Sequence, residues 1–424
     1  MLKKIARKSR VGAKVLREQG ILGFTIVGLQ FIQKKARGRS TAQPGTKAAA
    51  NKVGIYTKAN YEEIVATDLS KPLPKWPGTT KQKLTLNWLM PPPGKGSGGH
   101  MTLFRFIKFA EEAGHTCRIY LHNPGVGSNA AEVRAIMGDS FPKVKAEMAW
   151  LFPGQKMKPA DAVFATSWET AYTVYAANQQ AKHFYFVQDF EPYFYPVGSL
   201  SVLAENTYKM GYYGVTAGGW LSTKLKRDYG MRTDNFTFGS GGDIYKYENT
   251  TEKRKEINCY VRPYTERRGF ELAIMALDIF HRKHPEYIIN LFGWDVAEYD
   301  IPFPYKNLKI LEHHQLNELY NRSAAALVLS LTNMSLLPLE LLSCGCIPVV
   351  NEGENNTLVS DNSYVAYSKN DPLSLANKLS EIVTHKSQIA YAAESAASVQ
   401  TTTWEDSGKR FVRIIEREIR KADI

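Results

Sequence analysis

The stretch SLTNMSLLPLELLSCGCIPVV, Ser330–Val350, reads as the end of a strand, a loop, a short helix and the next strand. Pro338 fits the first helical turn, where its missing N–H and fixed φ do no harm. Gly345 supplies the helix stop, and Pro348 heads an apolar strand. Glu340 then falls in the first turn, where the helix dipole favours a carboxylate and where it can accept hydrogen bonds from sugar hydroxyls. Backbone N–H groups around Leu336 and Leu337 would point at an anion placed there. A strand, helix and strand in this order belong to a parallel sheet flanked by helices.

The same alternation extends in both directions. On one side lie candidate strands 257–261, 287–292, 325–330 and 347–350, with a helix near 268–283 and a closing helix at about 404–421. On the other lie candidate strands 84–90, 116–121, 161–166, 183–187 and 212–216, with helices near 99–113, 167–179 and 218–228. Two open α/β halves meet at a glycine-rich join, Phe238-Gly-Ser-Gly-Gly-Asp243, so Gly242 and Asp243 are candidate site-loop residues. This gives a basic extension and linker at 1–60 and an N-terminal Rossmann-like domain at 61–243. A C-terminal Rossmann-like domain follows at 244–403, and a helix at 404–424 is free to pack back on the first domain. Sites in such sheets lie at the C-terminal ends of the strands.

At that edge stands Tyr260-Val-Arg-Pro-Tyr-Thr-Glu-Arg-Arg-Gly-Phe270. Arg262 follows a buried strand and Arg267 opens the next helix, so two guanidiniums can offer paired charge-assisted bonds to a pyrophosphate. The alternative is a solvated turn with surface ion pairs. In the first half, the run Leu84–Met90 leads into Pro91-Pro-Pro-Gly-Lys-Gly-Ser-Gly-Gly-His100, whose glycines spell G-x-G-x-x-G. A P-loop would need Ser or Thr after Lys95, and Gly96 stands there. A dinucleotide site would need an acidic residue at the end of the second strand, which instead runs into His122-Asn123-Pro124. What survives is a glycine turn around Gly98 and Gly99, serving either a ligand or plain chain reversal.

The 424 residues carry a net charge of +13, yet residues 1–58 hold fourteen Lys or Arg against one Glu, so the remainder is neutral. Lys3, Arg7, Arg10, Lys14 and Arg17 form one helical stripe, followed by an apolar segment at 21–32. That segment is shorter than the ~20 residues needed to span a bilayer, which suits an arm lying on an anionic membrane surface or a solvated tail. The neutral body offers no basic groove for nucleic acid, and no small-residue cleavage site marks a signal peptide. The four cysteines, at 117, 259, 344 and 346, form no C-x-x-C pair and lie in apolar segments. They read as buried free thiols in a cytoplasmic protein, peripheral at the inner face of the membrane.

The Gly-Gly turn and Ala113-Gly-His115, Gly242-Asp243, Arg262 with Arg267, and P-L-E-L-L-x-C-G-x-x-P-V-V resemble the two-domain GT-B glycosyltransferases of the family-four type. Val187-Gln-Asp-Phe-Glu-Pro192 and Tyr260-Val-Arg-Pro263 resemble the WsaF-type polysaccharide rhamnosyltransferases in particular. The resemblance implies two Rossmann-like domains facing across a cleft and transfer of L-rhamnose from dTDP-L-rhamnose to a glycan or lipid-linked glycan. It implies that Arg262, Arg267 and the N–H groups of Leu336 and Leu337 hold the donor diphosphate, and that Glu340 and Thr332 meet the nucleotide sugar. Gly98, Gly99, Gly242 and Asp243 would line the cleft. Family-four enzymes usually carry a second glutamate eight positions before the one matching Glu340, and here Thr332 stands in that place.

No D-x-D metal motif is present. Asp189-Phe-Glu191 reads instead as a loop, with Asp189 a candidate base and Glu191 a supporting group, or as simple turn capping. No cofactor and no metal are therefore expected, and His313 and His314 are expected in a surface loop. The rival expectation is a catalytically silent GT-B-fold glycan- or nucleotide-binding protein.

Overall fold

The computed structural model describes residues 61–94, 97–122, 133, 135, 138, 141–152, 154–239, 244–248, 254–334, 336–399 and 403–423. The basic arm, its linker, and Gly242 with Asp243 lie outside the described residues. The chain divides into two compact units. One holds the chain up to Phe186 together with Met210–Tyr212 and Ile415–Ile424; the other holds Val187–Lys209 and Tyr213–Ile414.

Strands β1 (Thr85–Met90), β2 (Thr116–His122), β3 (Glu147–Leu151), β4 (Ala162–Ala165), β5 (Lys182–Val187), β6 (Tyr213–Ala217) and β7 (Thr233–Phe236) form a sheet in the order β3-β2-β1-β4-β5-β6-β7. Leu86, Trp88, Leu89 and Met90 are fully buried, as continuous apolar strands covered on both faces require. Register sets Trp88 beside Phe164 and Phe164 beside Phe184, and the three rings stack across three strands at 4.1 and 4.7 Å. Such pairs add stability beyond their buried area. The chain's last residues close this unit: Trp76 Nε1 donates to the Ile419 carbonyl at 2.6 Å, and Lys182 pairs with Asp423. Gly78 lies at φ +80, and a Cβ there would come within 2.8 Å of the Arg420 carbonyl oxygen.

The second sheet comprises β8 (Glu256–Tyr260), β9 (Ile288–Phe292), β10 (Lys306–Lys309), β11 (Ser323–Val328), β12 (Ile347–Asn351) and β13 (Ala366–Ser368). Its order is β10-β9-β8-β11-β12-β13, with every neighbouring pair parallel. In both sheets the strand order reverses beside the first strand, between β1 and β4 and between β8 and β11. In open sheets of this kind, ligands bind beyond the carboxyl ends of the strands at such a switch point.

The helices Gly98–Glu112, Trp168–Ala177, Gly219–Tyr229, Phe270–Lys283 and Trp404–Arg420 lie within about two residues of the sequence expectation. Pro338 sits in the first turn of helix Leu337–Ser343, and Gly345 ends it at φ +72. One expectation is corrected: His313 and His314, read as a surface loop, begin helix His313–Asn321, though both are exposed. A capping box between Glu312 and Gln315 starts that helix, and the sequence reading overlooked it.

Candidate functional site

At the switch point of the second sheet, β8 ends at Tyr260 and the chain turns through Arg262–Arg268 into helix Phe270–Lys283. Gly269 makes the turn possible: it lies at φ +58, and a Cβ there would meet Leu329 Cδ1 at 3.0 Å. The turn is stitched to the loop after β11. Leu331 N–H donates to the Arg267 carbonyl at 2.9 Å, and Arg268 Nη1 donates to Ser330 Oγ at 3.2 Å.

The β11 loop has its own scaffold. The Ser330 carbonyl accepts from the side-chain amides of Asn351, Asn355 and Asn356 at 2.9 to 3.0 Å, while Ser330 N–H donates to Asn351 Oδ1 at 2.8 Å. Asn351 and Asn356 are buried, so these bonds satisfy polar groups that would otherwise lack water. The sequence reading missed all three. Their signal was Asn351-Glu-Gly-Glu-Asn-Asn356, a polar cluster directly after a buried strand.

Thr332, on that loop, is buried, and its hydroxyl donates to Asp189 Oδ2 at 3.0 Å. Asp189 Oδ1 accepts from Phe190 N–H at 2.9 Å, and Oδ2 lies 3.8 Å from Arg267 Nε. Next to it, Asn333 Nδ2 donates to the Gln188 carbonyl at 3.0 Å. Burial pushes the Asp189 carboxyl above the usual Asp value, while the charges of Arg268 and Arg267 and the Thr332 hydroxyl pull the other way. Burial likewise lowers Arg267, with the Asp189 charge opposing it. The Arg267 guanidinium also lies 4.1 Å over the Phe194 ring. Glu191, the supporting group of the sequence reading, is buried, and its N–H donates to Tyr208 Oη at 3.1 Å.

Arg262 has a different setting. Its Nε donates to Tyr260 Oη at 2.9 Å, and its guanidinium carbon lies 5.7 Å from the Tyr260 ring centre and 5.8 Å from that of Trp294. Glu340, in the first turn of its helix, stands beside Tyr245 and Tyr320, and its charge adds to the burial that raises both phenols. Those two rings stack at 5.8 Å, and Tyr245 Oη meets His313 Nδ1 at 2.9 Å. The Leu336 carbonyl accepts from the N–H groups of Leu339 and Glu340, while Leu337 begins the helix.

Asp189, Thr332 and Arg267 are thus brought into one cluster, with Arg262 in a neighbouring aromatic setting and Glu340 beside a tyrosine pair. Gly98 and Gly99 belong to the other unit and open helix Gly98–Glu112. There Ser97 Oγ and His100 Nδ1 meet at 2.8 Å, and His100 Nε2 meets the Pro91 carbonyl at 2.9 Å. Burial lowers the His100 pKa, so the neutral ring donates from Nε2 and accepts from Ser97. A Cβ on Gly98 would meet nothing within 4 Å. Among the described residues, no group of three or more His, Cys, Asp or Glu could hold a metal ion.

Models of the WsaF N-terminal and C-terminal domains match residues 154–217 and 255–380. The chain is 28% identical over 345 residues to the O-antigen biosynthesis protein RfbC of Myxococcus xanthus, covering 78% of this chain and 27% of RfbC. It therefore spans about a quarter of that relative's length. Similar solved structures include HepE of Anabaena in complex with UDP-glucose, at a TM-score of 0.60 and 13% identity over 79% of this chain and 100% of that one. The pneumococcal O-GlcNAc transferase GtfA, in complex with UDP and GlcNAc, gives a TM-score of 0.61 and 11% identity over 80% of this chain and 100% of that one. Both WsaF domain models match, on a framework shared with these structures, so the chain has the GT-B fold and is similar to the WsaF-type glycosyltransferases.

Proposed function

We propose that this chain transfers a sugar from a nucleoside diphosphate to a hydroxyl of a growing surface polysaccharide, with dTDP-L-rhamnose as donor and a glycan or lipid-linked glycan as acceptor. The observation that carries the reading is the cluster at the β8/β11 switch point. Two arginines follow β8, and one of them shares a partly buried carboxylate with the loop that leads into the Glu340 helix. The donor diphosphate lies between Arg262 and Arg267, whose charge stabilises the leaving nucleotide as the glycosidic bond breaks. Glu340 accepts from hydroxyls of the nucleotide sugar, and Thr332 lines the same pocket. Asp189 takes the acceptor hydroxyl's proton; burial raises its basicity above that of an ordinary Asp. The reaction runs without a metal or other cofactor, and the 1–58 arm holds the protein at the inner membrane face. Among the described residues no helix is long and apolar enough to cross a membrane.

A catalytically silent binding protein is the second reading, favoured by the uncharged Thr332. Both are tested by thermal shift against dTDP, UDP, GDP and NADH, with Arg262→Ala in parallel, followed by turnover of dTDP-L-rhamnose on lipid-linked acceptors. Specific binding raises stability by about 2.7 kcal/mol at a hundredfold excess over Kd. A dTDP shift lost in Arg262→Ala, with turnover, supports the transferase. A shift with another nucleotide replaces the donor, binding without turnover supports the silent protein, and no shift with any nucleotide sinks the site assignment.

A further inference from the structure

The setting of Arg262 is more specific than a loop arginine requires. Its Nε is bound by Tyr260 Oη, while the Tyr260 and Trp294 rings lie at near-equal distances from the guanidinium carbon, 5.7 and 5.8 Å. Among the described residues its two Nη groups have no hydrogen-bond partner. Trp294 reaches this position because β8 and β9 end in close contact. Gly293 lies at φ +108, and a Cβ there would come within 2.7 Å of the Tyr260 ring and 2.9 Å of the Val261 carbonyl oxygen. Gly293 N–H donates to the Lys309 carbonyl at 2.7 Å, which fixes the turn that presents the indole. Behind the indole, Tyr264 packs edge-on at 5.7 Å and is itself held by a 2.8 Å bond to Glu298.

A guanidinium held by two rings and one hydroxyl keeps its planar fork in one orientation. Less side-chain entropy is then lost when the remaining N–H groups bind an anion. We infer that Trp294, from the loop after β9, is a positioning residue for the donor diphosphate, acting through Arg262 by holding its free Nη edge ready for phosphate oxygens. The inference rests on the sugar-nucleotide reading of the site.

The test is calorimetric titration of the full chain with dTDP, and with pyrophosphate in competition with dTDP, for wild type, Trp294→Ala and Trp294→Phe. Unliganded Tm is recorded for each. Removing one face of a cation–π contact of this kind corresponds to about five- to tenfold in affinity. The expected result is that Trp294→Ala weakens dTDP and pyrophosphate by that same factor with its unliganded Tm little changed, and that Trp294→Phe recovers most of the loss. A Trp294→Ala protein that binds both probes as wild type does overturns the inference. So does weakened dTDP with unchanged pyrophosphate, which would make Trp294 a stacking surface for the base. Wild type binding dTDP but not pyrophosphate also overturns it. Wild type binding neither overturns the sugar-nucleotide reading as well.

Discussion

Thr332→Val removes one oxygen from a buried site at nearly constant volume, and its effect depends on the charge of Asp189. The lost bond is the 3.0 Å donation from the Thr332 hydroxyl to Asp189 Oδ2. A hydrogen bond to a charged group contributes about 1.5–3 kcal/mol. Phe190 N–H at 2.9 Å and Arg267 at 3.8 Å still serve the carboxylate, so the loss at neutral pH falls near the low end, about 1.5–2 kcal/mol. At about 2–4 °C per kcal/mol for a unit of this size, Tm drops by about 3–8 °C. The sign with pH follows from linkage. The folded-state pKa of Asp189 is raised, so its contribution is full below the ordinary Asp value of 3.8 and declines as pH rises through the folded pKa. Without the Thr332 hydroxyl that pKa rises further, the decline deepens, and the difference between variant and wild type grows with pH. Urea unfolding of both proteins between pH 4 and pH 8 measures this directly, and the same substitution in an Asp189→Asn background shows only the small pH-independent part. A loss that is flat across that range, or one unchanged by Asp189→Asn, would refute the assignment of Thr332 to the Asp189 carboxylate.

Gly345→Ala places a side chain at φ +72, with its Cβ 2.8 Å from the Ala392 carbonyl oxygen and the Tyr247 ring, and should lower stability by about 2–4 kcal/mol in urea unfolding. Asn356→Ala deletes donations to the Ser330 and Asn351 carbonyls at 3.0 and 2.7 Å. Each bond contributes about 1 kcal/mol, so a loss of about 2 kcal/mol is expected, with weaker dTDP binding as the β11 loop loosens. All four cysteines are buried, and burial pushes the Cys117, Cys259 and Cys344 thiols up to about 12 and Cys346 higher still. A colorimetric thiol reagent at pH 8 should therefore titrate none in the native protein and four in denaturant.

The parts of the fold legible in the sequence are those buried on both faces. Strands β1, β2, β4, β5, β8, β9, β11 and β12 are apolar runs, and their flanking helices carry one apolar stripe. The strands the sequence did not show, β3, β7, β10 and β13, lie toward or at the sheet edges. Lys306-Asn-Leu-Lys309 and Ala366-Tyr-Ser368 are short and polar enough to pass for loops, and only their ladders to β9 and β12 make them strands. The helices His313–Asn321 and Glu354–Thr357 were hidden for a related reason: a capping box starts the first, and the second is a single polar turn with no apolar periodicity to show.

The candidate site was legible as residue types but not as partnerships. Arg262 and Arg267 follow the same strand five positions apart, and the sequence assigned both to one diphosphate. Folding separates them by what each meets. Arg267 meets a carboxylate and a phenyl ring from the segment after β5, whereas Arg262 meets a phenol from its own strand and an indole from the loop after β9. An ion pair in a partly buried setting loses much of its gain to desolvation and leaves Arg267 tied to the protonation of Asp189. An aromatic clamp brings no counter-charge to Arg262. On the proposed reading both arginines face the diphosphate, and Arg267 is in addition coupled to whether Asp189 carries a proton. Binding lost in Arg262→Ala, alongside turnover that follows the Asp189 titration, is the behaviour this reading requires.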